Sequence, residues 1–258
     1  MKKCLSKINI SPILYIVVFF SLICGLFREI IVFILTIVIH ELGHVFVSYL
    51  FGWNIKKISF NVYGGFISYD EVIDKPFIEE LLIALAGFLF QTIFLISSAF
   101  LYKFNIIDDN ILFLVKKYFL SLFLFNLIPI IPLDGSKILS VLLNIFFSYK
   151  KSLKILNYIS LVSLIIISIL IIYYHFTIEI SYIIIFSFLV KNIVEGFYEE
   201  KYLFAKFLFQ RYSLPSNYSE KNYINNYDLG KIKRQKNTYF LINGRYFKEE
   251  NILKKLFD

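Results

Sequence analysis

The sequence predicts an all-α membrane protein: a six-helix transmembrane bundle with a small cytosolic β-hairpin and a short α+β C-terminal tail. Three observations predict it. Hydrophobic residues make up 58% of the 258 and charged residues only 18%, whereas a soluble domain carries about a quarter charged residues and under half apolar ones. Mean hydropathy is +0.70. The apolar residues gather into six stretches of near-spanning length. An ordinary cytosolic enzyme, a disordered chain and a collagen-like fibre are excluded. Two cysteines, Cys4 and Cys24, without a CxxC pair, supply neither a disulfide scaffold nor a thiolate metal site.

A membrane helix needs roughly 20 apolar residues, because a core of about 30 Å is crossed at 1.5 Å per residue. The candidate spans lie near 10–27, 30–51, 77–101, 118–132, 154–174 and 178–196. The first follows Lys2, Lys3 and Lys7, as a signal peptide would, but no small-x-small cleavage signature follows it, so it is kept as a helix. Between the second and third, Gly52–Asp70 alternates polar and apolar residues around Gly64-Gly65 and reads as a hairpin. The fourth is short, and Asn110–Lys117 reads as its amphipathic lead-in, with Lys116 and Lys117 reaching for the interface. A different topology around those two lysines is an open alternative.

Basic residues set the orientation. Of 27 Lys and Arg, 22 fall before span one, between spans two and three, between spans four and five, or after span six. The Lys- and Arg-rich side is cytoplasmic, so both termini are expected in the cytosol of a bacterial cell, with the hairpin on the same face.

The second span is interrupted by His40-Glu41-Leu42-Gly43-His44. Residues i and i+4 share a helix face, so the two imidazoles can bind one zinc ion, and Glu41 beside them can serve as a general base on water. A charge near the bilayer centre costs about 2.5–3.5 kcal/mol on insertion scales and needs a partner or a function. The alternative reading is a buried hydrogen-bond cluster that joins helices.

Such a site needs a third protein ligand. His175 lies in YYHF at the end of span five, where Tyr and His favour the interface, and is a poor candidate. Asp108 and Asp109 read as solvated loop residues, and Glu79 and Glu80 as favourable charges at a helix N-terminus. Asp134 differs. Pro129 and Pro132 break the helix just before it, and broken backbone at membrane depth occurs only where protein or a wet cavity surrounds it. Helical rise puts His44 roughly 21 Å and Asp134 roughly 24 Å from the outer surface, both in the cytosolic half.

HELGH in one span and Asn126-Leu-Ile-Pro-Ile-Ile-Pro-Leu-Asp134-Gly135 in a later one resemble the site-2 protease family of intramembrane zinc metalloproteases. The six-span plan with a short tail most resembles its stage IV sporulation protein FB branch. The resemblance covers roughly residues 10–196 and implies one zinc ion held by His40, His44 and Asp134, with Glu41 as catalytic base. It also implies regulated intramembrane proteolysis of a membrane-associated protein, such as a sigma-factor precursor in sporulation, in a forespore-surrounding membrane, with inhibitory membrane partners. Asn126 matches the family's fourth-span asparagine; its amide donates to a developing oxyanion or substrate backbone, or else satisfies a carbonyl of the broken helix. Two departures stand out. Gln91 occupies the place where a third-span asparagine is usual, and Ser136 replaces the second glycine of DGG. An extended substrate segment is expected to pair with an exposed edge of the Gly52–Asp70 hairpin.

The family reading divides the chain into a protease domain, 1–196, and a cytosolic tail, 197–258, of 62 residues with 12 basic and 7 acidic side chains. FYEEKYLFAKFLFQRY reads as an interfacial helix suited to anionic lipid, followed by a polar linker, a hairpin at Asn243-Gly244 and a final helix. This ending resembles the last strands and helix of a CBS domain, at most half of a paired module; a docking surface for substrate is an equal alternative. No nucleic-acid-reading motif is visible. The competing function is a metal transporter or metal-binding scaffold. Transport needs polar groups along a path and often paired repeats, whereas here the polar membrane residues gather at one place.

Overall fold

The computed structural model describes residues 8–61, 64–69, 73–173, 180–214, 218–242 and 244–257. In chain order the elements begin with β1 (Ile8–Ile10), α1 (Pro12–Ile23), α2 (Phe27–Leu50), β2 (Ile55–Asn61), β3 (Gly64–Tyr69), α3 (Phe77–Lys103) and α4 (Asp109–Leu127). They continue with α5 (Asp134–Phe146), α6 (Tyr149–Tyr173), α7 (Ile180–Ser213), β4 (Lys221–Ile224), β5 (Asn237–Ile242), β6 (Arg245–Lys248) and α8 (Glu249–Phe257). Contacts divide the chain into two units, Met1–Glu71 with Leu81–Leu127, and Val72–Glu80 with Ile128–Asp258. The protein is predominantly helical, and among the described residues α2, α3, α4 and α6 are long and apolar enough to cross a membrane. Their outward apolar side chains stay exposed, Ile96, Phe100 and Ile172 among them. Exposed apolar surface on this scale fits lipid rather than water, and with the span lengths it makes this a membrane protein.

In the first unit, Ser11 caps α1 by accepting from Leu14 N–H, and Pro12 occupies the first turn. That start leaves Ile8–Ile10 free to pair in parallel with β2. The expected hairpin is therefore two strands of a three-stranded sheet, ordered β1-β2-β3, with β2 central. The single span read over 10–27 hid β1, and α1 is a 12-residue helix ending before Gly25 at φ +78°. The Asn110–Lys117 lead-in belongs to one continuous helix, α4, which Asp108 opens by accepting from Ile111 N–H. Asp108 also pairs with Arg28 at 2.8 Å, so it is more than a solvated loop residue. Val32, Leu114 and Val115 form the local core, with Phe94, Leu95, Ile111 and Tyr118 around them. Where α2 meets α3 the backbones nearly touch: a Cβ on Gly43 would lie 2.5 Å from the Ala86 carbonyl oxygen.

In the second unit, helix continues across residue 197. α7 is one 34-residue helix through which the 196/197 boundary runs, because no proline or turn pair interrupts it. The tail's polar linker contains a strand, β4, whose KNYI buries only Ile224 and so lacks an apolar signature. β4 pairs in parallel with β5, and β5 pairs antiparallel with β6 from Ile242 opposite Arg245. That register fits the expected two-residue turn; Asn243 itself lies outside the described residues, as does His175. Phe207, Leu208, Ile224, Ile232, Phe240 and Leu253 build the core.

Beside that core is a buried ionic cluster. Arg211 pairs with Asp74 at 2.9 Å and Glu249 at 2.8 Å. Arg234 pairs with Glu80 and donates to the Lys75 carbonyl. Burial pushes the Glu249 carboxyl up, and the Arg211 guanidinium opposes that shift. Removing one partner leaves an uncompensated buried charge, which costs about 3–5 kcal/mol. Arg211→Met is therefore expected to destabilise the β4–β6 sheet by that amount, read as faster amide exchange in β5 of the intact protein. Unchanged exchange would contradict the cluster's structural role.

Candidate active site

His40, Glu41 and His44 are all buried on α2. The His44 Nδ1 faces the Ile83 carbonyl at 2.7 Å, and the His40 Nδ1 faces Gln91 Oε1 at 3.2 Å. Both partners are acceptors, so each Nδ1 must carry the proton. The Gln91 amide orientation is set in turn, because its Nε2 donates to the Phe119 carbonyl at 2.8 Å. In neutral imidazoles both Nε2 atoms are then unprotonated, and they face one another at 3.2 Å. Two lone pairs at that distance repel unless something positive lies against them. A metal cation supplies it, and outer partners that hold Nδ1–H are what metal-binding histidines characteristically have.

Space beside the imidazoles is kept by Gly87 on α3. A Cβ there would lie 2.4 Å from His44 Nε2 and 2.5 Å from His40 Cε1. The Glu41 carboxylate packs against β3, where a Cβ on Gly65 would lie 2.2 Å from its Cγ and 2.8 Å from its Oε1. Asn126, part-buried near the end of α4, brings its Nδ2 to 3.4 Å from His40 Nε2, a long contact.

Asp134 opens α5 and is 4% exposed. Its carboxylate accepts from Lys137 Nζ at 2.7 Å and lies at a helix N-terminus, where the dipole favours negative charge. The backbone before it is broken from Ile128 to Leu133 and half-buried, with Ile130 and Leu133 buried. Ile131 N–H donates to Ser160 Oγ, which also donates to the Pro129 carbonyl. Ser136, the departure from DGG, turns its hydroxyl back onto the Leu133 carbonyl at 2.7 Å. His40, His44 and Asp134 are positioned to bind one metal ion: each offers one ligand atom, and these atoms all lie within 4.8 Å of one another. Two imidazole nitrogens and one carboxylate oxygen are a donor set that zinc takes in hydrolytic enzymes, with a fourth position open.

Sequence reading found the three donors and underrated Gln91. It noted that residue only as a departure from the usual asparagine, but Gln91 is fully buried and orients His40. Gln91→Leu is expected to weaken zinc binding by about 10–100-fold, the usual cost of losing such an outer partner. A chelator competition titration measures it, and unchanged affinity would refute the role.

A helical membrane protein with a HExxH helix and a distant carboxylate over one metal position belongs to the class of membrane-embedded zinc metalloproteases. Residues 28–119 match peptidase family M50. The chain is 30% identical over 207 residues to Stage IV sporulation protein FB of Bacillus subtilis (strain 168), covering 80% of this chain and 71% of that protein. It is 34% identical over 158 residues to Zinc metalloprotease MJ0392 of Methanocaldococcus jannaschii, covering 58% of this chain and 45% of that one. The solved structure of the Site-2 Protease from Methanocaldococcus jannaschii superimposes with a TM-score of 0.56 at 28% identity, over 74% of this chain and 91% of that chain. The chain belongs to peptidase family M50, the site-2 proteases, and is a zinc metalloprotease.

Proposed function

We propose that this protein is an intramembrane endopeptidase that cuts a membrane-associated protein, a sigma-factor precursor in sporulation, at a zinc ion held by His40, His44 and Asp134. The facing pair of unprotonated Nε2 atoms carries the reading. Bound zinc polarises a carbonyl and acidifies water. The chain's own residues do the rest. Glu41 takes the proton from the attacking water and passes it to the leaving amine. Asn126 turns its amide toward the carbonyl oxygen as charge develops there. Supporting the sporulation role is the similarity to Stage IV sporulation protein FB across most of both chains. Inhibitory membrane proteins are the corresponding partners.

The same reading sets six membrane crossings, with α1 and α7 added to the four long apolar helices. Both termini and the β1–β3 sheet lie on the Lys- and Arg-rich cytosolic face. It keeps 1–196 as the protease domain and 197–258 as a cytosolic, partly CBS-like tail.

Substrate helices hide their amides, so cleavage requires an extended stretch, which a sheet edge can hold by strand addition. With β2 central, the sheet's edges are β1 and β3, and it is β3 whose Gly65 lies against Glu41. Proline at Ile58 or Phe60 would break the sheet's middle strand and test folding rather than pairing. Successive residues of an antiparallel strand point their N–H groups to opposite sides. Of proline at Ile67 and proline at Ser68, one is therefore expected to abolish cleavage with the sheet intact. Full activity in both would reject edge pairing.

The experiment for the function is co-expression with membrane-tethered sigma-factor precursors, wild type against Glu41→Gln. A truncated precursor in the wild type alone is expected. An intact precursor in both would reject this substrate class.

A further inference from the structure

Within the second unit, a cleft of about 490 Å³ opens beside the start of α6, and no residue of the proposed active site lines it. Lys151, Lys231 and Lys233 line it with Phe146, Phe147 and Tyr223, and no carboxylate is among its lining residues. Its size falls in the range of small-ligand sites. Its charge is uniformly positive, and none of the three lysines makes an ion pair among the described residues. Lys233 Nζ spends one donor on the Phe146 carbonyl at 3.0 Å. Lys151 Nζ stands 4.8 Å from the centre of the Phe147 ring. Three ammonium groups gathered without a counter-charge ask for an anion.

Depth says which anion. The cleft reaches Ser148 and Lys151, at the first turn of α6, a helix apolar and long enough to cross a membrane. Lys150, Lys151 and Lys154 mark that end of the helix, and its apolar run begins just beyond them. An end of a spanning helix lies at headgroup level. Phe146, 69% exposed at the cleft's rim, is an apolar ring left where acyl chains begin. Basic pockets at the end of spanning helices are suited to lipid phosphates.

We propose that this cleft binds the phosphate of an anionic phospholipid headgroup, with Lys151, Lys231 and Lys233 as its donors and Phe146 against the acyl chains. The phosphate takes N–H donors from the three ammonium groups, while Lys233 keeps its bond to the end of α5. The tail's β4 strand is thereby held to the membrane surface. This site depends on the chain lying in a membrane and not on its protease reading.

The test uses the full-length protein in detergent. Phosphatidylglycerol and phosphatidylcholine of the same acyl chains are titrated in, and bound lipid is counted by native mass spectrometry. Each lysine near an anionic lipid contributes about fivefold. The tightest phosphatidylglycerol is expected to bind at least about tenfold better than phosphatidylcholine. A variant carrying Lys151→Gln, Lys231→Gln and Lys233→Gln is expected to lose about a hundredfold, with zinc content unchanged. Lys231→Gln alone, at an exposed side chain, is expected to lose about fivefold even if the triple variant folds poorly. The triple Lys→Arg variant is expected to retain binding. Equal binding of the two lipids, or retention by the Gln variants, overturns the proposal. Tight binding of inorganic phosphate or pyrophosphate without a phosphatidylglycerol preference also overturns it, and makes the occupant a soluble phosphate compound.

Discussion

Glu41→Gln protein is expected to hold as much zinc as the wild type and to cleave at least about 10²–10⁴-fold more slowly. The substitution keeps the volume and removes only the ability to accept a proton. Glu41 contributes no ligand atom to the His40, His44 and Asp134 group, so its neutralisation leaves the metal in place. Its side chain is buried against the Gly65 backbone, which fixes it beside the β3 edge rather than in solvent. Zinc content by mass spectrometry and turnover on a reconstituted substrate separate the two effects. Loss of zinc together with activity would make Glu41 structural, and robust cleavage would exclude it as the base.

Gly87→Ala is expected to cost at least about 100-fold in zinc affinity, the upper end of what losing an outer metal partner costs. The added methyl would stand 2.4 Å from His44 Nε2 and 2.5 Å from His40 Cε1. A flexible side chain could swing away from such a contact, but these two rings cannot. Each is held at Nδ1, by the Ile83 carbonyl and by Gln91, whose own amide is tied to Phe119. The methyl therefore enters the space where the two Nε2 lone pairs meet. Binding isotherms with a competing chelator read the loss, and wild-type affinity would show that the rings have freedom these contacts deny them.

The donors were legible because each breaks a strong local pattern. His40 and His44 interrupt an apolar helix at one-turn spacing, and Asp134 follows two prolines inside a hydrophobic stretch. Gln91 was not legible, since one amide in FLFQTIF looks the same whether it glues helices or orients an imidazole. Gly87 was visible only as a small residue; the rings that need its space come from α2. The strand pairings were hidden for another reason. Ile8–Ile10 abuts an apolar helix, so hydropathy merges the two, and the parallel partner β2 lies far along the chain. β4 buries a single residue of four and reads as linker. α7 runs on past Phe197, where charge rises, because charge by itself does not end a helix.

The most direct measurement is the zinc K-edge X-ray absorption spectrum of the purified wild-type protein. Two imidazoles and a carboxylate predict a four-coordinate, nitrogen- and oxygen-only shell at about 2.0–2.1 Å, with the outer-ring scattering of two histidines. A zinc-free protein, or a shell lacking those two imidazoles, would contradict the account.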